Sequence, residues 1–184
     1  MGCKLLTISI LCLIATISIR YSSSTKQGKQ CVRIDSHGCI CNFTDGSGMV
    51  DLRSLGNKDN TPRFKDINGT DGYMYSYNPC YGFIEGGCNN AAVCLLRNGS
   101  QKQISDAGTA TFQYVDDEND ILAFYTIRQF GAASVVRLTC DLKAVEPVFK
   151  AFGELTVGFY SFQLSSVCAC PGLCTKDGPI DINT

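Results

Sequence analysis

Phe159-Tyr160-Ser161-Phe162-Gln163-Leu164 alternates from end to end: Tyr160, Phe162 and Leu164 share one side, and Ser161 and Gln163 the other. A period of two marks a strand with one face in a core, because successive side chains of an extended chain point to opposite faces. The same pattern extends backwards along the chain. Tyr73, Tyr75 and Tyr77 alternate with Met74 and Ser76 ahead of the turn pair Asn78-Pro79. Residues 91–96 are a compact apolar run that stops at Asn98-Gly99, a dipeptide suited to a tight hairpin turn. Phe112 and Tyr114 lie on one face of 110–115, an acidic turn follows over 116–120, and the runs 121–127 and 134–140 complete the set. No helix-like run of useful length follows Cys31. The expected fold is all-β: an antiparallel sandwich or flattened barrel.

The start of the chain speaks to where it is made. Lys4 precedes a predominantly apolar run from Leu5 to Ile19, and small polar residues follow at 22–24. That is the plan of a removable signal peptide over residues 1–24, and the run falls short of the ~20 residues that span a bilayer. Of the twelve cysteines, Cys3 and Cys12 lie in this leader. The remaining ten are Cys31, Cys39, Cys41, Cys80, Cys88, Cys94, Cys140, Cys168, Cys170 and Cys174. An even number of thiols behind a signal peptide reads as a disulfide framework. Three acceptor sequons, at Asn42, Asn68 and Asn98, agree with a glycosylated product, secreted or held in the lumen of the secretory and endolysosomal pathway. Residues 25–38 read as a polar lead-in, 39–175 as one β domain and 176–184 as a tail.

Several chemistries have little to work with. A formal charge of −1 without a basic cluster leaves no footprint for nucleic acid. His37 is the only histidine, so Ser-His and Cys-His hydrolytic schemes lack a base. Zinc at Cys39, Cys41, Cys168, Cys170 and Cys174 competes with disulfide formation in an oxidising lumen. The acidic turn Asp116–Asp120 lacks the glycine and the terminal glutamate of a calcium loop. The expectation is a binding module with no cofactor and no metal, and not an enzyme. A hydrolase built on Glu154 and an acidic partner is the weaker alternative, since carboxyl spacing is a three-dimensional property.

Taken together, five segments resemble the mannose-6-phosphate receptor homology domain, the repeat of the cation-independent mannose-6-phosphate receptor. They are Gly48-Met49-Val50-Asp51-Leu52-Arg53-Ser54-Leu55; Tyr75-Ser76-Tyr77-Asn78-Pro79-Cys80; Cys88 with Ala91-Ala92-Val93-Cys94; Val135-Val136-Arg137-Leu138-Thr139-Cys140-Asp141; and Glu154 with Tyr160-Ser161-Phe162 and Cys168-Ala169-Cys170-Pro171. Their order and spacing across 39–174 carry the match. The resemblance implies bridges Cys88–Cys94 and Cys140–Cys170, and one from Cys80 to an N-terminal cysteine. Cysteines left over near residues 31–41, with Cys168 and Cys174, would then make bridges of this chain's own.

The resemblance also implies a ligand set. Members of the family hold the hydroxyls of a mannose with a glutamine, an arginine, a glutamate and a tyrosine. Glu154 and Tyr160 match the last two. Leu95 stands at the glutamine position, directly after Cys94, and Ala132 at the arginine position, eight residues before Cys140. Neither replacement forms a side-chain hydrogen bond, and each charge-assisted bond lost is worth roughly 1.5–3 kcal/mol. Arg128, Arg137, Gln101 and Gln103 are the candidate substitutes. Two readings follow: recognition of mannose-bearing glycans or glycoproteins through Glu154 and Tyr160, or a sugar-blind domain that kept the scaffold for protein–protein interaction.

Overall fold

A computed structural model describes residues 28–127 and 131–181. The expected signal peptide, with Cys3 and Cys12, lies outside the described residues. Strands β1 (Cys31–Arg33), β2 (Ile40–Phe43) and β3 (Met49–Asp51) form a small antiparallel sheet. A second sheet contains β4 (Phe64–Asn68), β5 (Met74–Tyr77), β6 (Phe83–Glu85), β7 (Cys88–Arg97) and β8 (Ser100–Asp106); β7 is its spine, pairing with β5, β6 and β8. The third is built from β9 (Thr111–Val115), β10 (Asp120–Thr126), β11 (Ala133–Cys140), β12 (Val148–Thr156) and β13 (Phe159–Ser166), in the order β12-β13-β11-β10-β9. A single 3₁₀ turn at Val167–Ala169 leads to the short hairpin of β14 (Cys174–Thr175) and β15 (Gly178–Pro179). The described residues are all-β, as expected.

The two five-stranded sheets face each other through aromatic rings. Tyr77 of β5 stacks on Phe149 of β12 at 4.8 Å, and Tyr75 meets Phe162 of β13 edge-on at 5.2 Å. Buried tyrosines need partners for their hydroxyls, and Tyr77 and Tyr125 supply each other across the sheets at 2.9 Å. On one side the sheets are tied by a bridge between Gly69, just past β4, and Ala151 of β12. On the other, the edge of β9 is covered by the small sheet, where Arg33 Nη1 donates to the Ala110 carbonyl at 2.7 Å and Phe43 meets the Tyr114 ring. Covered edges do not template pairing with other chains.

Three details differ from expectation. First, β11 and β13 run parallel, Val136 opposite Phe162, within an otherwise antiparallel pattern. The chain passes from β11 to the sheet edge as β12 and folds back into the gap between them. Second, β1 lies within the stretch expected as a lead-in, and β15 within the expected tail. β1 is held by the Cys31–Cys41 bridge to β2 and by backbone pairing. Third, the bridges are Cys31–Cys41, Cys88–Cys94, Cys140–Cys170 and Cys168–Cys174, while Cys39 and Cys80 are free, buried thiols. Cys41 is bridged to Cys31 diagonally across the β1–β2 pair, and Cys39 hydrogen-bonds Cys80 thiol to thiol. Cys80 thus lies against an N-terminal cysteine, as the implied bridge requires, with the two sulfurs unbonded in this structure. Of the imagined zinc set, Cys41, Cys168, Cys170 and Cys174 are all consumed in bridges.

Candidate functional site

Glu154 and Tyr160 are brought together by the hairpin between β12 and β13, where they sit directly opposite each other. The turn needs Gly158, whose φ of 78° lies in the left-handed region. Its N–H donates to Glu154 Oε1 at 2.8 Å, and the Tyr160 hydroxyl donates to the same carboxylate. Burial, then the Glu154 charge and this hydrogen bond, push the Tyr160 hydroxyl up to about 12. Tyr160 therefore stays protonated at physiological pH. Only 4% of its surface is exposed, and its ring lies edge-on to Tyr75.

The backbone under Glu154 is fixed from the other sheet. Asp71, in the turn between β4 and β5, accepts from Tyr75 Oη at 2.6 Å, from the Glu154 N–H at 3.0 Å and from the Tyr73 N–H at 3.2 Å. Burial acts to raise the Asp71 carboxyl, but these bonds outweigh it and hold the group below the usual carboxylate range. Gly153 makes the approach possible. Its φ is 86°, and a Cβ there would collide with the Asp71 carboxylate.

The opposite wall comes from the hairpin of β7 and β8. Asn98 and Gly99 both take positive φ, 52° and 75°, as a two-residue hairpin turn requires. That turn fixes the register: Leu95 pairs with Lys102, and Arg97 with Ser100. Leu95, Arg97, Asn98, Ser100, Lys102, Glu154 and Tyr160 line one open hollow of about 400 Å³. The Arg97 guanidinium lies over the Tyr73 ring at 4.6 Å, a cation–π contact that holds it at the rim. The hollow thus offers a carboxylate acceptor, a phenol, hydroxyl and amide groups, two cations and a hydrocarbon floor. A larger open hollow of about 470 Å³ between β1 and β9 contains no comparable pairing of acceptor and phenol.

Of the residues singled out in the sequence, Glu154, Tyr160 and Leu95 share this hollow. Ala132 is buried and sits behind the hairpin turn, its Cα 3.9 Å from where a Cβ on Gly158 would lie. Arg137 faces elsewhere, paired with Glu118 and with Asp120 at 3.2 Å on the outer side of β11. Gln103 accepts from the Asn89 N–H and donates to Asp106, and the Gln101 side chain packs against Gly86. Arg128 lies outside the described residues. None of the described substitutes reaches the hollow. Arg97 and Lys102 do, and sequence reasoning missed both. Their signal was present: the Asn98-Gly99 turn fixes which residues stand opposite one another, and alternation then puts Lys102, between Gln101 and Gln103, on the side of Leu95. Asn42, Asn68 and Asn98 are all exposed.

No family model matches the sequence, and no curated protein matches it. Solved structures do. Domain 11 of chicken IGF2R superposes with a TM-score of 0.56 at 18% identity, over 74% of this chain and 96% of that one. This chain has the fold of a mannose-6-phosphate receptor repeat. Domain 11 of the echidna mannose-6-phosphate/IGF2R receptor, solved by NMR, gives the same TM-score at 14% identity, over 77% of this chain and all of that one. The similarity therefore spans the whole receptor domain and reaches beyond a shared hairpin.

Proposed function

We propose that this chain is a glycan-binding module of the secretory or endolysosomal lumen, serving in trafficking, and that the Glu154–Tyr160 hollow is its binding site. The observation that carries the reading is the meeting of Glu154 and Tyr160 on one wall with Arg97, Ser100 and Lys102 on the other. A sugar hydroxyl both donates and accepts, so a site must answer with both kinds of group or lose the bonds water supplied. Glu154 accepts, Tyr160 contributes a hydroxyl, and the two cations donate. Leu95 gives the less polar side of a ring a surface to lie on. The two cations also answer what a phosphorylated or otherwise acidic sugar demands, a fixed positive partner. Mannose-bearing glycans, with or without an acidic group, are the ligand class. Four disulfides are consistent with an oxidising compartment.

A second reading is favoured by a different observation. Leu155, near the end of β12, is 58% exposed, and Val157, in the turn that follows, is fully so. With Leu95 and Ala132 in place of hydrogen-bonding residues, that apolar turn suits a protein partner, and the chain is then a sugar-blind scaffold. A glycan array probed with the secreted chain separates the two. Binding to mannosylated glycans that disappears in Glu154→Gln supports glycan recognition; silence across them, with binding to a protein partner that Val157→Asp abolishes, supports the scaffold.

A further inference from the structure

Of the three sequons, the one at Asn98 stands apart by its place. Asn42 lies within β2, paired on both sides with Val32 and Met49, and Asn68 ends β4 opposite Met74. Asn98 is at the apex of the β7–β8 hairpin, exposed, and it lines the same hollow as Glu154 and Tyr160. Ser100, the hydroxyl residue of the sequon, lines it too. We propose that Asn98 is a glycosylated asparagine whose glycan is rooted at the lip of the Glu154–Tyr160 hollow, so that occupancy of this one sequon governs access to the hollow.

The chemistry is that of asparagine-linked glycosylation with a lipid-linked oligosaccharide as co-reactant. The Asn98 amide nitrogen attacks C1 of the first sugar, an N–C bond forms and the C–O bond to the lipid diphosphate breaks. The diphosphate is the leaving group, and one amide proton passes to solvent. The apex geometry suits the product. Both turn residues already hold positive φ, so a chain rooted at the apex disturbs no strand pairing. Any sugar attached to Nδ2 begins at the wall that carries Arg97 and Lys102, and faces the wall that carries Glu154. A bulky, hydrated branch at that point stands between the hollow and solvent. Where the hollow binds mannose-bearing glycans, as proposed above, the Asn98 branch is also a tethered competitor at high effective concentration. Chains lacking it would be the binding-competent fraction.

Lys102 provides a readout that requires no ligand. It is exposed in the bare protein and lines the hollow, whereas Lys143 is exposed in the turn after β11 and lies outside the hollow's lining. The full chain is secreted from glycosylating cells, occupancy of Asn98 is read by glycopeptide mass spectrometry, and acetylation rates of the two lysines are compared between the wild-type chain and Asn98→Asp, which retains the other two sequons. The expected result is an occupied Asn98, with Lys102 acetylated several-fold more slowly in the wild type and Lys143 at the same rate in both. An unmodified Asn98, or equal Lys102 rates, overturns the proposal. Should Asn98→Asp fail to be secreted, the Asn42→Gln/Asn68→Gln chain before and after enzymatic removal of its remaining glycan gives the same comparison. A shielded Lys102 in a chain that binds no mannosylated glycan in either form would uphold the shield and dismiss glycan recognition, so the two fail separately.

Discussion

At the scale of single residues, Asp71 links the two sheets beneath the site. Its carboxylate takes hydrogen bonds from Tyr75, Tyr73 and the Glu154 backbone. Asp71→Asn weakens all three and leaves polar groups under-satisfied, so stability measured by urea unfolding falls on the order of 2 kcal/mol. The pH dependence has a definite sign. The carboxyl is held below its ordinary value of 3.8 in the folded chain, so its contribution is complete above that pH and is lost as pH drops through the lower folded value. The Asp71 clasp therefore survives at pH 5, and urea midpoints of wild type and Asp71→Asn converge only in stronger acid. Cys39 and Cys80 give a second test. Two buried thiols in mutual contact, in an oxidising lumen, are one oxidation step from a fifth bridge. Chain secreted from cells and denatured without reductant then takes up no thiol label; uptake of two labels means the pair stays reduced. Glu154 and Tyr160 were legible in the sequence because their spacing matched a known pattern. Asp71 was not, because an aspartate between Thr70 and Gly72 looks like any other turn residue until the strands meet.

At the scale of elements, the site depends on two hairpins holding register. Gly153 is the sensitive point of β12, with positive φ and the Asp71 carboxylate where a Cβ would be. Gly153→Ala forces β12 away from the β4–β5 turn and costs about 1–3 kcal/mol or more; on the glycan-binding proposal, affinity for mannosylated glycans falls with it. Arg137 makes the contrast. Its ion pairs with Glu118 and Asp120 are partly exposed, so Arg137→Ala shifts the urea midpoint by less than about 1 kcal/mol and leaves the array profile unchanged. A lost profile would mean that Arg137 does serve the site. Strands with large inward residues, such as β5 and β13, were readable as alternation. β12 was not recognised, although it alternates from Val148 to Gly153, because its inward residues after Phe149 are the small Ala151 and Gly153 while Val148 and Phe152 point outward, and bulges break its register towards the turn. β8 was missed for a related reason: Gln101, Lys102 and Gln103 leave only Ile104 as an apolar marker.

For the molecule as a whole, four bridges hold a sandwich with a three-stranded sheet and a two-stranded hairpin appended, and loop length ranks them. Cys140–Cys170 closes a separation of 30 residues and Cys88–Cys94 one of 6. Chain entropy assigns the first about 3.7 kcal/mol and the second about 2.2 kcal/mol. Replacing Cys140 and Cys170 together by serine should therefore lower the urea midpoint more than the corresponding change at Cys88 and Cys94. All-β architecture, the order of the family-like segments and the shared place of Glu154 and Tyr160 were readable in advance; the donors facing them were not, because the hollow is formed between two hairpins more than fifty residues apart in the chain. What most directly tests the hollow as the binding site is a backbone-amide NMR titration of the Asn98→Asp chain with methyl mannoside and with mannose-6-phosphate. Saturable shifts should cluster at Leu95, Lys102, Glu154 and Gly158, and vanish in Glu154→Gln. An absence of shifts, or shifts gathered around the β1–β9 groove, would contradict it.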